Sequence, residues 1–130
     1  MTTRGKITTS GFEEYLEKLA KAGRNIDAVA ARALQAGGEV ALEGMQKRVA
    51  EDTGNLKDTL RIVGPKQEGN YVFILVGLVN ADGETTRYGN AQEYGSSSMP
   101  AHPYVRPTMD EDKVKIRKAM KIVFEEEVGK

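Results

Sequence analysis

The chain has 130 residues, 39% of them apolar, with 19 basic and 19 acidic side chains, one histidine and no cysteine. That length suits a single domain, and the missing cysteines exclude a disulfide framework, a cysteine-ligated zinc and a thiol nucleophile. A net charge of zero lacks the basic excess of a protein that neutralises many phosphates, although opposite charges can still be segregated in space.

The start, "MTTRGKITTSG", carries positive charge with no apolar run behind it, which predicts a flexible extension over residues 1–9 and not a signal peptide. No stretch approaches the roughly 18 apolar residues of a membrane span. From Ser10 the pattern turns helical. Ser10 and Glu13 have capping-box spacing, and Phe12, Tyr15, Leu16, Leu19 and Ala20 share one face. Glu14–Lys18 and Glu17–Lys21 add i,i+4 pairs on the wet side, and Gly23 is the stop. A second, long helix is predicted from an Asn25 cap to about Asp52. Its polar stripe is Arg32, Gln35, Glu39, Glu43 and Gln46. Within the broad apolar arc opposite, Ala30, Ala33, Gly37, Ala41 and Gly44 form a seam of small residues. Each interior glycine costs about 0.5–1 kcal/mol relative to alanine, so another backbone must approach here, from within the molecule or from a second subunit.

After "DTGNL" the period falls to two. "LRIVGPK" reads as a strand, "QEGN" as a turn, and "YVFILVGLV", apolar on both faces, as a central strand. "NADG" turns the chain again and "ETTRY" reads as a third, wetter strand. The segment "EYGSSSMPAHPYVRP" holds three of the four prolines and the histidine. Prolines restrict themselves and the residue before them, which predicts a semi-rigid strap anchored by Tyr104 and Val105. Arg106 can bond carbonyls or a carboxylate such as Glu93. The last helix is predicted from a Thr108 cap with Glu111 completing a capping box, buried along Met109, Ile116, Ala119, Met120, Val123 and Phe124. Its basic side, Lys113, Lys115, Arg117, Lys118 and Lys121, lies between acidic "DED" and "EEE". That side is a solvated face, a complementary subunit surface or a basic patch toward DNA. The fold these elements predict is α+β: an antiparallel three- to four-stranded meander packed against the long helix, with an N-terminal and a C-terminal helix, in one domain over residues 10–130. With 6% aromatic residues and no Trp, its core should be aliphatic.

Glu93, Ser96 to Ser98 and His102 carry the residue types of a hydrolytic triad, but all within one loop. Triads draw their members from distant segments held by a rigid scaffold, and no "GxSxG" elbow is present, so no catalytic residue is expected. The lone His102 reads as an ordinary loop residue, and no spacing predicts a metal, cofactor or nucleotide site.

The ordered motifs resemble a known family. Thr53, Gly54 and Leu56 follow the long helix; Glu93, Tyr94 and Gly95 come after the strands; Pro100, Ala101, Pro103, Tyr104, Arg106 and Pro107 lead into the terminal helix. This order resembles the tail-component, or neck, proteins of long-tailed bacteriophages and prophages, over about Gly11 to Phe124. His102 stands where Arg is common in such proteins, Tyr104 where Phe is more usual, and Thr108 where a small Ala often follows. The resemblance implies a non-enzymatic virion protein at the head–tail junction, without cofactor, acting in head–tail joining or tail completion. It implies a ring of identical copies through which DNA passes without sequence specificity, in contact with other neck or tail proteins. Assembly would occur in the host cytoplasm, away from membranes. The alternative from the residues themselves is a small nucleic-acid-binding module using the basic terminal helix.

Overall fold

The computed structural model describes residues 3–49 and 54–130. Thr53 of the expected motif lies outside the described residues. A first correction comes at the N-terminus, where residues 4–8 are not an extension. Arg4–Thr8 form strand β1, with Gly5 and Ile7 buried. The period of two was present, but Ile7 is its one large apolar residue. Gly5 fills the other inward position because the Met109 side chain occupies the space a Cβ would take.

Helix α1 spans Glu13–Lys21 and buries Leu19. Ser10 does not cap it. Glu13 reaches back to the Gly11 N–H at 2.9 Å, so half of the expected capping box exists, one residue displaced. Ala20, expected on the apolar face, is exposed, while Phe12 is buried and Tyr15 and Leu16 half-buried. Of the two expected ion pairs, Glu17–Lys21 forms at 3.2 Å. Gly23 ends the helix with φ +73°, as Arg24 N–H bonds Leu19 and Gly23 N–H bonds Ala20. That is a Schellman motif.

Helix α2, Ile26–Arg48, starts at Asn25, whose side chain accepts the Ala28 N–H at 3.1 Å. Its small-residue seam is filled from within the molecule. A Cβ on Gly37 would meet Met120 and Ile116, and one on Gly44 would meet Thr108 and Asp112. Gly38, on the adjoining side, lies against Ile74 and Ile62 of the sheet. The long helix therefore lies between the sheet and terminal-helix residues such as Ile116 and Met120, and the core forms on both sides of it. That core is largely aliphatic, with one aromatic corner where Phe12 and Tyr15 meet Phe124, ring centroids 5.0 and 5.8 Å away.

A short helix α3, Gly54–Thr59, carries the buried Leu56. Strands β2, Arg61–Glu68, and β3, Tyr71–Gly77, pair antiparallel with a register shift between Val63 and Lys66, beside a cis Gly64–Pro65 bond. The sheet is three-stranded and antiparallel in the order β1-β3-β2, so β3 is central as its double-sided apolar pattern predicts. The third strand is thus the N-terminal one, and "ETTRY" is corrected to helix. Helix α4 runs Gly83–Tyr94 from an Asp82 cap that accepts both the Thr85 N–H, at 2.8 Å, and its hydroxyl, at 3.0 Å. Those bonds hold the Asp82 carboxyl below its usual pKa. Capping outweighs the strand preference of Thr85, Thr86 and Tyr88.

The last helix is also corrected: it is two. Helix α5 spans Val105–Glu111 and α6 Lys113–Val128, with Asp112 at the break. Thr108 is no cap but a buried residue inside α5, its hydroxyl donating to the Tyr104 carbonyl at 2.7 Å. Ile116, Met120 and Phe124 are buried as predicted, and Met109, Ala119 and Val123 are half-buried.

Candidate assembly site

Helix α4 turns Gly89, Gln92 and Glu93 inward, at i, i+3 and i+4, and the strap lies along that line. The Gly95 φ of +83° reverses the chain after α4. Ser96 and Met99 then close a tight turn through bonds of 2.8 and 3.3 Å, with Ser96 to Ser98 exposed. Extended backbone around exposed Pro100 and Pro103 carries His102 back to α4, where its N–H donates to the Gln92 carbonyl at 2.6 Å.

Glu93 closes the strap. The residue is 5% exposed, and its carboxylate accepts the backbone N–H of Tyr104 and Val105 at 2.8 Å each and of Arg106 at 3.0 Å. These are the orphan donors at the start of α5, so an acid from one helix caps the next. Arg106 meets Glu93 as expected, but through its main chain. Tyr104 is fully buried, its hydroxyl donating to the Gly89 carbonyl at 3.2 Å. Burial first, and the Glu93 charge second, push its phenol well above the usual range. Gly89 has no Cβ because Leu78, Tyr104 and Leu56 already fill that space. Pro107 is half-buried beside the anchored Val105, while Tyr94 and Arg106 reach the surface.

Two charged clusters escaped the sequence reading. Arg48, near the end of α2, donates to the Gly44 carbonyl, the Thr108 hydroxyl, Asp112 at 2.8 Å and Glu111 at 2.9 Å. The Arg48 bond holds the Asp112 carboxyl below its ordinary pKa, and Asp112 raises that of Arg48. His102 Nε2 sits 3.0 Å from the Arg48 carbonyl, so the histidine tethers strap to α2 instead of lying idle. At the other end of the molecule Glu127, 2% exposed, is gripped by Arg24 and Arg32 and by Lys130 at 3.2 Å. The Arg32 bond leads the causes that lower its pKa. These partners stand roughly sixty to a hundred residues apart for Arg48–Asp112 and Arg24–Glu127, beyond any local spacing rule.

The terminal helix keeps a free outer side. Val114 is 77% and Ile122 46% exposed, two turns apart, in a shallow groove with Lys118, Lys121 and Glu125. The five basic residues do not form one patch. Arg117, Lys118 and Lys121 line that groove; Lys113 faces β1 beside Lys6; Lys115 turns toward Arg48 and Asp112 on the opposite flank. Arg117 lies 4.5 Å from the Phe12 ring centroid and donates to the Ser10 carbonyl at 3.0 Å. Glu93 faces backbone N–H groups and His102 a backbone carbonyl, so these triad types do not converge. Among the described residues no group of His, Asp or Glu is placed to hold a metal, and no helix is long and apolar enough to cross a membrane.

The chain is thus α+β, with a strap clasped between α4 and α5 and a terminal helix that is buried on one side and exposed on the other. Residues 10–95 match the family model described as "Bacteriophage HK97-gp10, putative tail-component". The match spans well over half of the chain, which therefore belongs to this family of phage tail components. Gly54, Leu56, Glu93, Tyr94 and Gly95 lie inside it; Pro100, Pro103, Tyr104, Arg106 and Pro107 lie beyond its end. Comparison with curated proteins and with solved structures gives no match.

Proposed function

We propose that this tail component is a structural subunit of the head–tail junction, working in head–tail joining or tail completion as one copy in a ring through which DNA passes. The family match over residues 10–95 carries the reading. The exposed Val114 and Ile122, with charges of both signs beside them, support it, because a ring needs two different complementary surfaces on every copy. The strap serves that role by fixing α5, and through it α6, to the rest of the molecule. The partners are further copies of this chain and other neck or tail proteins, met in the host cytoplasm and retained in the virion. The protein needs no cofactor and performs no catalysis. Glu93 is a capping group, and Ser97→Ala or His102→Ala has no turnover to abolish.

Electron microscopy of particles from a strain deleted for this chain tests the proposal. Heads and tails that fail to join, or tails with faulty ends, are expected. Normal infectious particles would refute it. A separate nucleic-acid module on α6 gains no support, since its five cations are spread over different sides of the helix and Arg117 is engaged elsewhere.

A further inference from the structure

The helices α2 and α5 pack on the side of the sheet that carries Gly5, Ile7, Ile74 and Val76. The other side has a different composition. Phe73, Leu75 and Val63 lie there half-buried and outside the core cluster. Register puts Lys6 and Val63 on either side of Leu75, Lys66 beside Phe73, and Arg4 and Arg61 on either side of Gly77. Arg4, Lys6, Arg61 and Lys66 are all exposed. Among the described residues of this face the acid is Glu68, already paired with Lys6 at 2.7 Å. Among the described residues, a chain of zero net charge thus gathers four cations against one carboxylate on a sheet face that no described helix packs against.

The cations stand on the two outer strands, with the apolar residues between them. With strands about 4.8 Å apart, the two rows are about 10 Å apart, within the span of about 6–12 Å of the grooves of B-DNA. The aromatic centre is not a free stacking platform, because the Lys6 ammonium covers the Phe73 ring at 4.5 Å from its centroid. Such a face can meet phosphates but offers little to bases, which favours a duplex backbone over an unstacked single strand.

We propose that this sheet face, and not α6, is the surface that meets duplex DNA, by phosphate contacts without base reading. The proposal rests on the ring reading in one respect, that DNA passing through a ring must meet one face of every copy. The test uses the purified full chain and a short random-sequence duplex, with anisotropy measured at rising salt. The wild-type chain should bind at low salt and release steeply as salt rises. The variant Arg4→Gln/Arg61→Gln/Lys66→Gln should bind at least about tenfold more weakly and flatten the salt slope by about 0.9 for each phosphate contact removed. The variant Lys118→Gln/Lys121→Gln, whose lysines line the outer groove of α6, should bind like wild type. Glutamine keeps the side-chain stems, and matching thermal melts show that both variants fold; should the triple sheet variant not fold, Arg4→Gln/Arg61→Gln replaces it. Absence of wild-type binding at low salt, unchanged binding in the sheet variant, or an equal loss in the α6 variant overturns the proposal. Each of those results leaves the place of the protein in the particle to the deletion strain, so the two readings fail separately.

Discussion

Replacing Glu93 by Gln tests whether the strap is held by a buried charge. Gln keeps a carbonyl oxygen for the N–H groups of Tyr104 and Val105, but its amide presents a donor to the Arg106 N–H. Bonds to a charged acceptor contribute about 1.5–3 kcal/mol each and neutral ones about 1. Losing one and weakening the other two comes to about 3 kcal/mol. For a chain of this size that is about 10–15 °C in Tm. Glu93→Ala leaves all three donors without a side-chain acceptor and should cost more, about 4–5 kcal/mol. Urea denaturation gives the free energy, and amide exchange at residues 104–106 shows whether the opening is local. A Gln variant within about 0.5 kcal/mol of wild type, with those amides still protected, would refute the capping argument.

Other substitutions probe the remaining contacts. Tyr104→Phe removes the hydroxyl bond to the Gly89 carbonyl and should cost about 1 kcal/mol in the same urea assay. Gly44→Ala places a methyl against Asp112 and Thr108 and should destabilise by about 1–3 kcal/mol, so a stabilised variant would contradict the close approach of α2 to the α5–α6 break. The lowered folded-state pKa of Asp112 means its pairing stabilises the fold above the unfolded value of about 3.9 and is lost as pH falls below that, through the folded value. Urea midpoints measured from pH 5 downward should therefore decline, and less steeply in Arg48→Met, which has no pairing left to lose. Glu127, lowered chiefly by Arg32, adds a decline of the same sign that Arg32→Met should reduce.

Local physics was legible where a whole signal sat within a few residues. Asn25 capping α2, the Gly23 stop and the turn at 69–70 between two strands each depend on neighbours in the chain. The strap was legible for the same reason, since prolines limit backbone conformation wherever they stand. Sequence misled where one local preference competed with another. Asp82 capping overrode the strand preference of Thr85 and Thr86, and Glu93, arriving from α4, capped α5 ahead of the Thr108 cap predicted there. β1 was missed because half of its inward face is a glycine, whose fitness for that position depends on Met109, over a hundred residues away.

The sequence by itself determined the α+β class, the central β3, the small-residue seam and the ordered motifs that mark a phage tail component. Tertiary structure decided what each charged residue does. Arg48 with Asp112 and Arg24 with Glu127 are meetings between segments distant in the chain, and Glu93 meets the start of α5 because the strap folds back on α4. It also decided that the seam closes on α5 and α6, and that the terminal basic run is dispersed while Arg4, Lys6, Arg61 and Lys66 converge. Helical spacing distributes neighbouring residues around an axis, whereas a sheet gathers distant strands onto one face.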